Sequence, residues 1–186
     1  MSDPDNSTPV MTWDQAVAAL TGPGAQFELV ETEVLGRLTR TFAGAPGSVR
    51  ELFSVARLHG DKTYLVYEDE VWTYADLVAH IDGFAHALVN QYGVVPGDRV
   101  AISMRNYPEW IVAFAATTSI GAVAVALNAW WVTDEIEYGL ALAEPKLLIG
   151  DERRLARLEG NDPGMPVLVI EKDYDALGEG SADALP

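Results

Sequence analysis

The stretch EWIVAFAATTSIGAVAVALNAWWVTDE, Glu109 to Glu135, decides how the rest of the chain is read. Its 24 residues from Trp110 to Thr133 carry no charged side chain. A run of about 18 such residues is already a candidate membrane span. Here the run breaks at Ser119-Ile120-Gly121 into a predicted helix, from about Tyr107 to Ile120, and a predicted strand, Ala122 to Leu127. Each is too short to cross a bilayer core of about 30 Å. The flanks also lack the basic cluster of a spanning segment, with Arg105 on one side and Asp134, Glu135 and Glu137 on the other. The stretch reads as protein core.

Outward from this core the pattern repeats. Arg99 to Met104 is a β-prone run, followed by Asn106 as a predicted helix N-cap with Pro108 in the first turn. Beyond Leu127, Thr133 is the predicted cap of a helix whose first turn carries Asp134 and Glu135, the favourable sign at that end. This helix stops at Glu144-Pro145, because the residue before proline avoids the α region. KLLIG (Lys146 to Gly150) is a strand, DERRLARLEG a short charged helix, and PVLVI (Pro166 to Ile170) a last strand. Strand and helix alternating at this spacing imply βαβ crossovers. The expected fold class is α/β, a largely parallel sheet with helices on both faces, and its near-continuous apolar strands suit burial between two layers.

Upstream, KTYLVYEDEVWTY is a hairpin candidate turning at Glu68-Asp69-Glu70. Thr73 then caps a helix with Asp76 three residues on, and Tyr74, Leu77, Val78, Ile81, Phe84, Ala85 and Leu88 recur on one face. Gly93 and Pro96-Gly97 mark its end. Nearer the start, TWDQAVAALTG reads as a helix between Thr12 and Gly22, FELVETEVLGRLTRTF as an extended pair, and AGAPGS as a loop. The expected organisation is a disordered start (residues 1–11), a small irregular β/α segment (12–62), an α/β subdomain (63–170) and an acidic tail without stable structure (171–186).

Composition narrows the function classes. Twelve basic residues face 28 acidic ones, a net charge of −16 that repels phosphate backbones and anionic headgroups, so no nucleic-acid partner is expected. The absence of cysteine excludes disulfides, thiolate metal sites and a cysteine nucleophile. The acidic, polar start shows no secretory signal, and with the lack of cysteine this fits a cytoplasmic protein that does not span a membrane.

The chemistry-bearing motifs are sparse. A doubly wound sheet binds ligands at the carboxyl ends of its strands. The loops there, RNYPEW, NAWWVTDE and GDERRL, contain neither G-x-G-x-x-G nor a Gly-rich loop ending in G-K-[ST]. His59, His80 and His86 lack metal spacing, and Glu68-Asp69-Glu70 fits a solvated turn better than a cation site. Trp130-Trp131 fits core packing or loop anchoring, with an apolar pocket or a subunit contact as the other reading. Ser103 and Ser119 have no G-x-S-x-G elbow around them. No residue is assigned a catalytic, cofactor-binding or metal-binding role.

The run from Trp72 to Ile149 resembles the N-terminal region of the adenylate-forming acyl-CoA synthetases, in their fatty-acid–CoA ligase branch. The residues carrying the resemblance are WTYADLVAHIDGFAHAL, GVVPGDRVAISMRNYPEW, SIGAVAVALN and DEIEYGLALAEPKLLI. Tyr107 departs from a position where a small residue is common, and Trp130-Trp131 follows Asn128. The resemblance implies part of the large N-terminal domain of a two-step ligase that uses ATP, Mg²⁺ and coenzyme A on a fatty acid. It also implies that the catalytic parts lie elsewhere. The family's Ser/Thr/Gly-rich loop ending in Pro-Lys-Gly, its aromatic-Gly-x-Thr-Glu motif and its lysine-bearing C-terminal domain have no counterpart here. These 186 residues are therefore expected to be inactive alone and to bind none of the three cofactors. Two alternatives stay open: a free-standing, non-catalytic interaction module, and a piece of a luciferase-like or peptide-synthetase-like adenylating enzyme. Acyl-chain length and oligomeric state are not legible, although exposed apolar sheet edges favour self-association.

Overall fold

The computed structural model describes residues 11–178. The chain divides into two compact units between Gly47 and Ser48. In the first, helix α1 (Trp13–Thr21) starts at Thr12, whose hydroxyl accepts from the Gln15 N–H while the Gln15 side chain accepts from the Thr12 N–H. An antiparallel pair follows, β1 (Leu29–Val34) and β2 (Arg37–Phe42), so the extended pair is present. Its two-residue turn has positive φ at both Leu35 and Gly36, the twist that a tight hairpin requires. No described side chain of this unit is fully buried.

The second unit begins with a short helix that the sequence reading missed, α2 (Val49–Ser54), capped by Ser48 and continued by a 3₁₀ segment, Val55–His59. The hairpin β3 (Thr63–Tyr67) and β4 (Glu70–Thr73) turns at Glu68-Asp69 as expected. Helix α3 (Tyr74–Asn90) then starts on the Thr73–Asp76 capping box. Leu77, Ile81, Phe84, Ala85 and Leu88 are its buried face, the set the periodicity marks. Arg57 holds this helix from the preceding segment through two hydrogen bonds of 2.6 and 2.8 Å to the Asp82 carboxylate.

The parallel sheet comprises β5 (Arg99–Ser103), β6 (Val123–Ala126), β7 (Leu147–Gly150) and β8 (Val167–Val169), in the spatial order β6-β5-β7-β8. All three pairings are parallel. Its strands feed α4 (Pro108–Ser119), α5 (Thr133–Ala143), α6 (Glu152–Leu155, continued as a 3₁₀ turn to Leu158) and α7 (Ile170–Gly178). Alternation along each strand sorts the core into two layers. Val100, Ile102, Leu147 and Ile149 face α3, α4 and α7, whereas Ala101 and Leu148 meet Ile136 and Leu140 of α5. The expected α/β class with helices on both faces is what the chain adopts.

Four details correct the reading. The N-cap of α4 is Tyr107, not Asn106, and Pro108 takes the first helical position, where its missing N–H costs nothing. Thr133 is the first residue of α5 rather than its cap. Its hydroxyl donates to the Arg157 carbonyl, and Glu135 accepts from the Val132 N–H. Strand β6 is an edge with Val123 and Ala126 exposed, so its apolar run does not mean burial on both faces. The acidic segment after Val169 is not structureless over Ile170–Gly178. It forms α7, because Ile170, Tyr174 and Leu177 are spaced to bury together against α3. The expectations for residues 1–10 and 179–186 lie outside the described residues.

Candidate functional site at the carboxyl edge of the sheet

In the order β6-β5-β7-β8 the connections reverse direction between β5 and β7, the position where an open α/β sheet usually receives its ligand. Two segments meet there, Met104–Tyr107 after β5 and Asp151 directly after β7. The crevice between them is filled by Asp151, which is 1% exposed. One carboxylate oxygen accepts the Arg105 N–H at 2.9 Å, the other accepts the Arg154 N–H at 2.8 Å, and the Arg154 guanidinium lies 3.5 Å away. The Asp151 N–H donates to the Ser103 carbonyl at 3.3 Å. Gly150 is closely enclosed, since a Cβ there would sit 2.8 Å from Leu155 and 3.0 Å from the Ser103 carbonyl. The donors that a phosphate would use are thus already engaged by an internal carboxylate.

Beside the β5–α4 loop lies a cavity of about 190 Å³, walled by Leu65, Tyr67, Tyr107, Pro108, Trp110 and Ile111, with Asn106 as a polar group. Tyr67 and Tyr107 meet edge to face at 6.1 Å, and the Arg105 guanidinium lies 4.7 Å over the Tyr107 ring. Such walls accept apolar matter and offer no phosphate grip. Glu109, in the first turn of α4, is half-buried. Burial pushes its carboxyl upward, with Glu70, Glu171 and Asp175 adding to the shift and its own backbone N–H opposing it.

At the end of β6 the two tryptophans separate. Trp131 is wedged against Gly139, where a Cβ would come within 2.6 Å of its ring, and Arg157 donates to the carbonyls of Ala129 and Trp131. Trp130 is 79% exposed. Core packing and loop anchoring therefore account for Trp131 but not for Trp130. His59 lies against Tyr74, His80 stacks on Trp72, and His86 sits elsewhere on α3. No group of three or more His, Cys, Asp or Glu side chains among the described residues is placed to hold a metal ion. Asp151 is the residue that sequence reasoning missed. Its signal was present, an aspartate directly before a short charged helix, which is a favoured N-cap.

Residues 52–185 match the model of the AMP-binding enzyme family. This chain belongs to that family. The medium/long-chain-fatty-acid–CoA ligase FadD6 of Mycobacterium tuberculosis is 33% identical over 128 residues, which cover 66% of this chain and 21% of that protein. Malpinin synthetase of Mortierella alpina is 35% identical over 94 residues, half of this chain and 1% of that protein. The fold matches the crystal structure of the N-terminal domain of FACL13 from Mycobacterium tuberculosis with a TM-score of 0.68 at 22% identity, over 76% of this chain and 38% of that one. The family member described here thus spans about a fifth of the length of FadD6. Among its described residues no helix is long and apolar enough to cross a membrane.

Proposed function

We propose that these residues are the opening part of an ATP-dependent fatty-acid–CoA ligase and form the first sheet of its large domain. The observation that supports this most is the identity to FadD6 over two thirds of the chain. In that reaction the carboxylate of a fatty acid attacks the α-phosphate of ATP, releasing pyrophosphate and leaving an acyl-adenylate. The thiol of coenzyme A then attacks the acyl carbonyl and expels AMP. Both steps need preorganised positive charge where the phosphate gains negative charge.

The residues present here do not fit ATP, Mg²⁺ or coenzyme A. Asp151 takes the two backbone N–H groups of the switch-point crevice, and its carboxylate would repel a phosphate brought beside it. No catalytic step is therefore assigned to these side chains. Their part is to hold β5, β7 and the β5–α4 loop rigid beneath a site built by other residues. The aromatic cavity beside Tyr107 is suited to border an apolar acyl chain. The full enzyme would work in the cytoplasm.

A second reading draws on malpinin synthetase and on the fold match to NpsA-ThdA, a fused adenylation–PCP di-domain from Klebsiella oxytoca, with a TM-score of 0.64 at 23% identity. In that reading the thiol acceptor is a carrier protein. The source gene should first be read past the codon for Pro186, and any longer product incubated with ATP, a fatty acid and either coenzyme A or a carrier domain. Acyl-CoA formation supports the ligase, and acyl transfer to the carrier alone supports the alternative. A stop codon with no further coding sequence would leave an interaction module. The 186-residue chain by itself is expected to release no pyrophosphate from ATP above a blank; turnover by the pure chain would contradict that.

A further inference from the structure

Helix α7 is held on α3 through a stack of three rings from three elements. The His80 imidazole of α3 lies on the Trp72 indole of β4, at 4.4 Å between centroids and 17° between planes. Its other contact is Tyr174 of α7, at 5.6 Å and 24°. Tyr174 also leans on Phe84 at 6.0 Å and is 8% exposed. Two polar atoms in this stack, His80 Nδ1 and Tyr174 Oη, are buried without a hydrogen-bond partner. Buried polar atoms are seldom left so, and each demands a physical reason.

For His80 the reason lies in its protonation state. A neutral imidazole can leave one ring nitrogen as a bare lone pair, whereas the imidazolium carries N–H on both. Protonation therefore turns Nδ1 into a buried donor with no acceptor, inside an apolar stack, and the charged ring loses its solvation there without a compensating bond. We propose that His80 is an acid-sensitive latch, holding α7 on α3 while its ring is neutral and releasing it when the ring is protonated.

The charged groups facing the stack come from each element around it. Asp76 lies one turn back on α3, Glu70 on β4 and Asp175 on α7, and all three favour the imidazolium. Burial outweighs them and holds His80 below its ordinary 6.5. A folded-state value below the unfolded one means that docking is fully present above about that pH and is lost as pH falls through the folded value. Glu109 of α4, facing Glu70, Glu171 and Asp175, acts in the opposite sense. Burial raises its carboxyl above 4.5, so its contribution is present below that value and lost as pH rises through its folded value. Burial also drives the Tyr174 phenol well above the tyrosine range, so that it stays protonated throughout. Release of α7 would bare Phe84, Ile170 and Leu177, three side chains now buried.

The test is amide hydrogen exchange by NMR on the whole chain between about pH 7.5 and about pH 5, corrected for intrinsic exchange. Protection across α7 is expected to fall by up to roughly tenfold per pH unit below the histidine range. In His80→Phe, which keeps a stacked ring but cannot be protonated, it should not fall. Flat protection in the wild type, or the same loss in His80→Phe, overturns the latch. Should that variant fail to fold, the NMR titration of His80 in Tyr174→Ala decides. Its midpoint should move up toward the ordinary histidine value, and an unmoved midpoint also overturns the proposal.

Discussion

At the scale of single residues, Asp151 shows how a side chain can occupy the anion-binding geometry of its own fold. Two backbone donors, Arg105 N–H and Arg154 N–H, converge on one point at the switch of the sheet, an arrangement that elsewhere serves an anion. Here the anion belongs to the chain. Removing it leaves the Arg105 N–H and the buried Arg154 guanidinium without their carboxylate partner, a loss of about 3–5 kcal/mol, while the Arg154 N–H keeps the Asp151 carbonyl at 3.1 Å. Asp151→Ala is thus expected to lower the urea midpoint sharply with no change in the slope of the transition. Asp151→Asn, which keeps one oxygen acceptor, should lose less. Equal stability of both variants with the wild type would show that the crevice is held by something else.

Helix starts set the pattern at the scale of elements, and they divide into two kinds. At α3 the cap is local and complete. The Thr73 N–H and hydroxyl donate to Asp76 at 2.8 and 2.7 Å, and the Asp76 N–H donates back to the hydroxyl at 3.1 Å. Thr73→Ala should therefore cost about 1 kcal/mol in a denaturant titration near neutral pH. The backbone and hydroxyl hydrogen bonds of Thr73 also hold the Asp76 carboxyl below its ordinary 3.8. A depressed carboxylate contributes stability that is present above its unfolded value and lost as pH falls through its folded value. The gap between wild type and Asp76→Asn should therefore close as pH falls below about 3.8 and stay open above it. At α4 and α5 the local signal misleads by one residue. Pro108 and the Thr133–Arg157 contact decide where those helices begin, and the second of these joins residues 24 apart in sequence.

On the scale of the whole molecule, burial is divided unequally between the two compact units. Every fully buried side chain described lies in the second, from Ala56 to Leu177, while the first has none. A helix and a two-stranded hairpin without a core are marginal by themselves. Removal of residues 1–47 is expected to leave one cooperative unfolding transition for the remainder, with the near-ultraviolet circular dichroism of its aromatic core retained. Loss of that transition would show that the first unit is needed for the second to fold.

The amino-acid sequence alone determined the class of this fold, because apolar periodicity, cap residues and glycine-proline turns are local signals that act within a few residues. It also ruled out a membrane span inside Glu109–Glu135, and its segments carried the likeness to the acyl-CoA synthetases. The tertiary structure decided what depends on contacts between distant residues. Only the sheet order made β6 an exposed edge and brought Arg105 to Asp151. Only packing against α3 turned an acidic segment into α7, since its propensity is weak and the burial of Tyr174 and Leu177 supplies what the local sequence lacks. The stack of Trp72, His80 and Tyr174 is of the same kind: three elements meet there, and nothing in the spacing of those residues announces it.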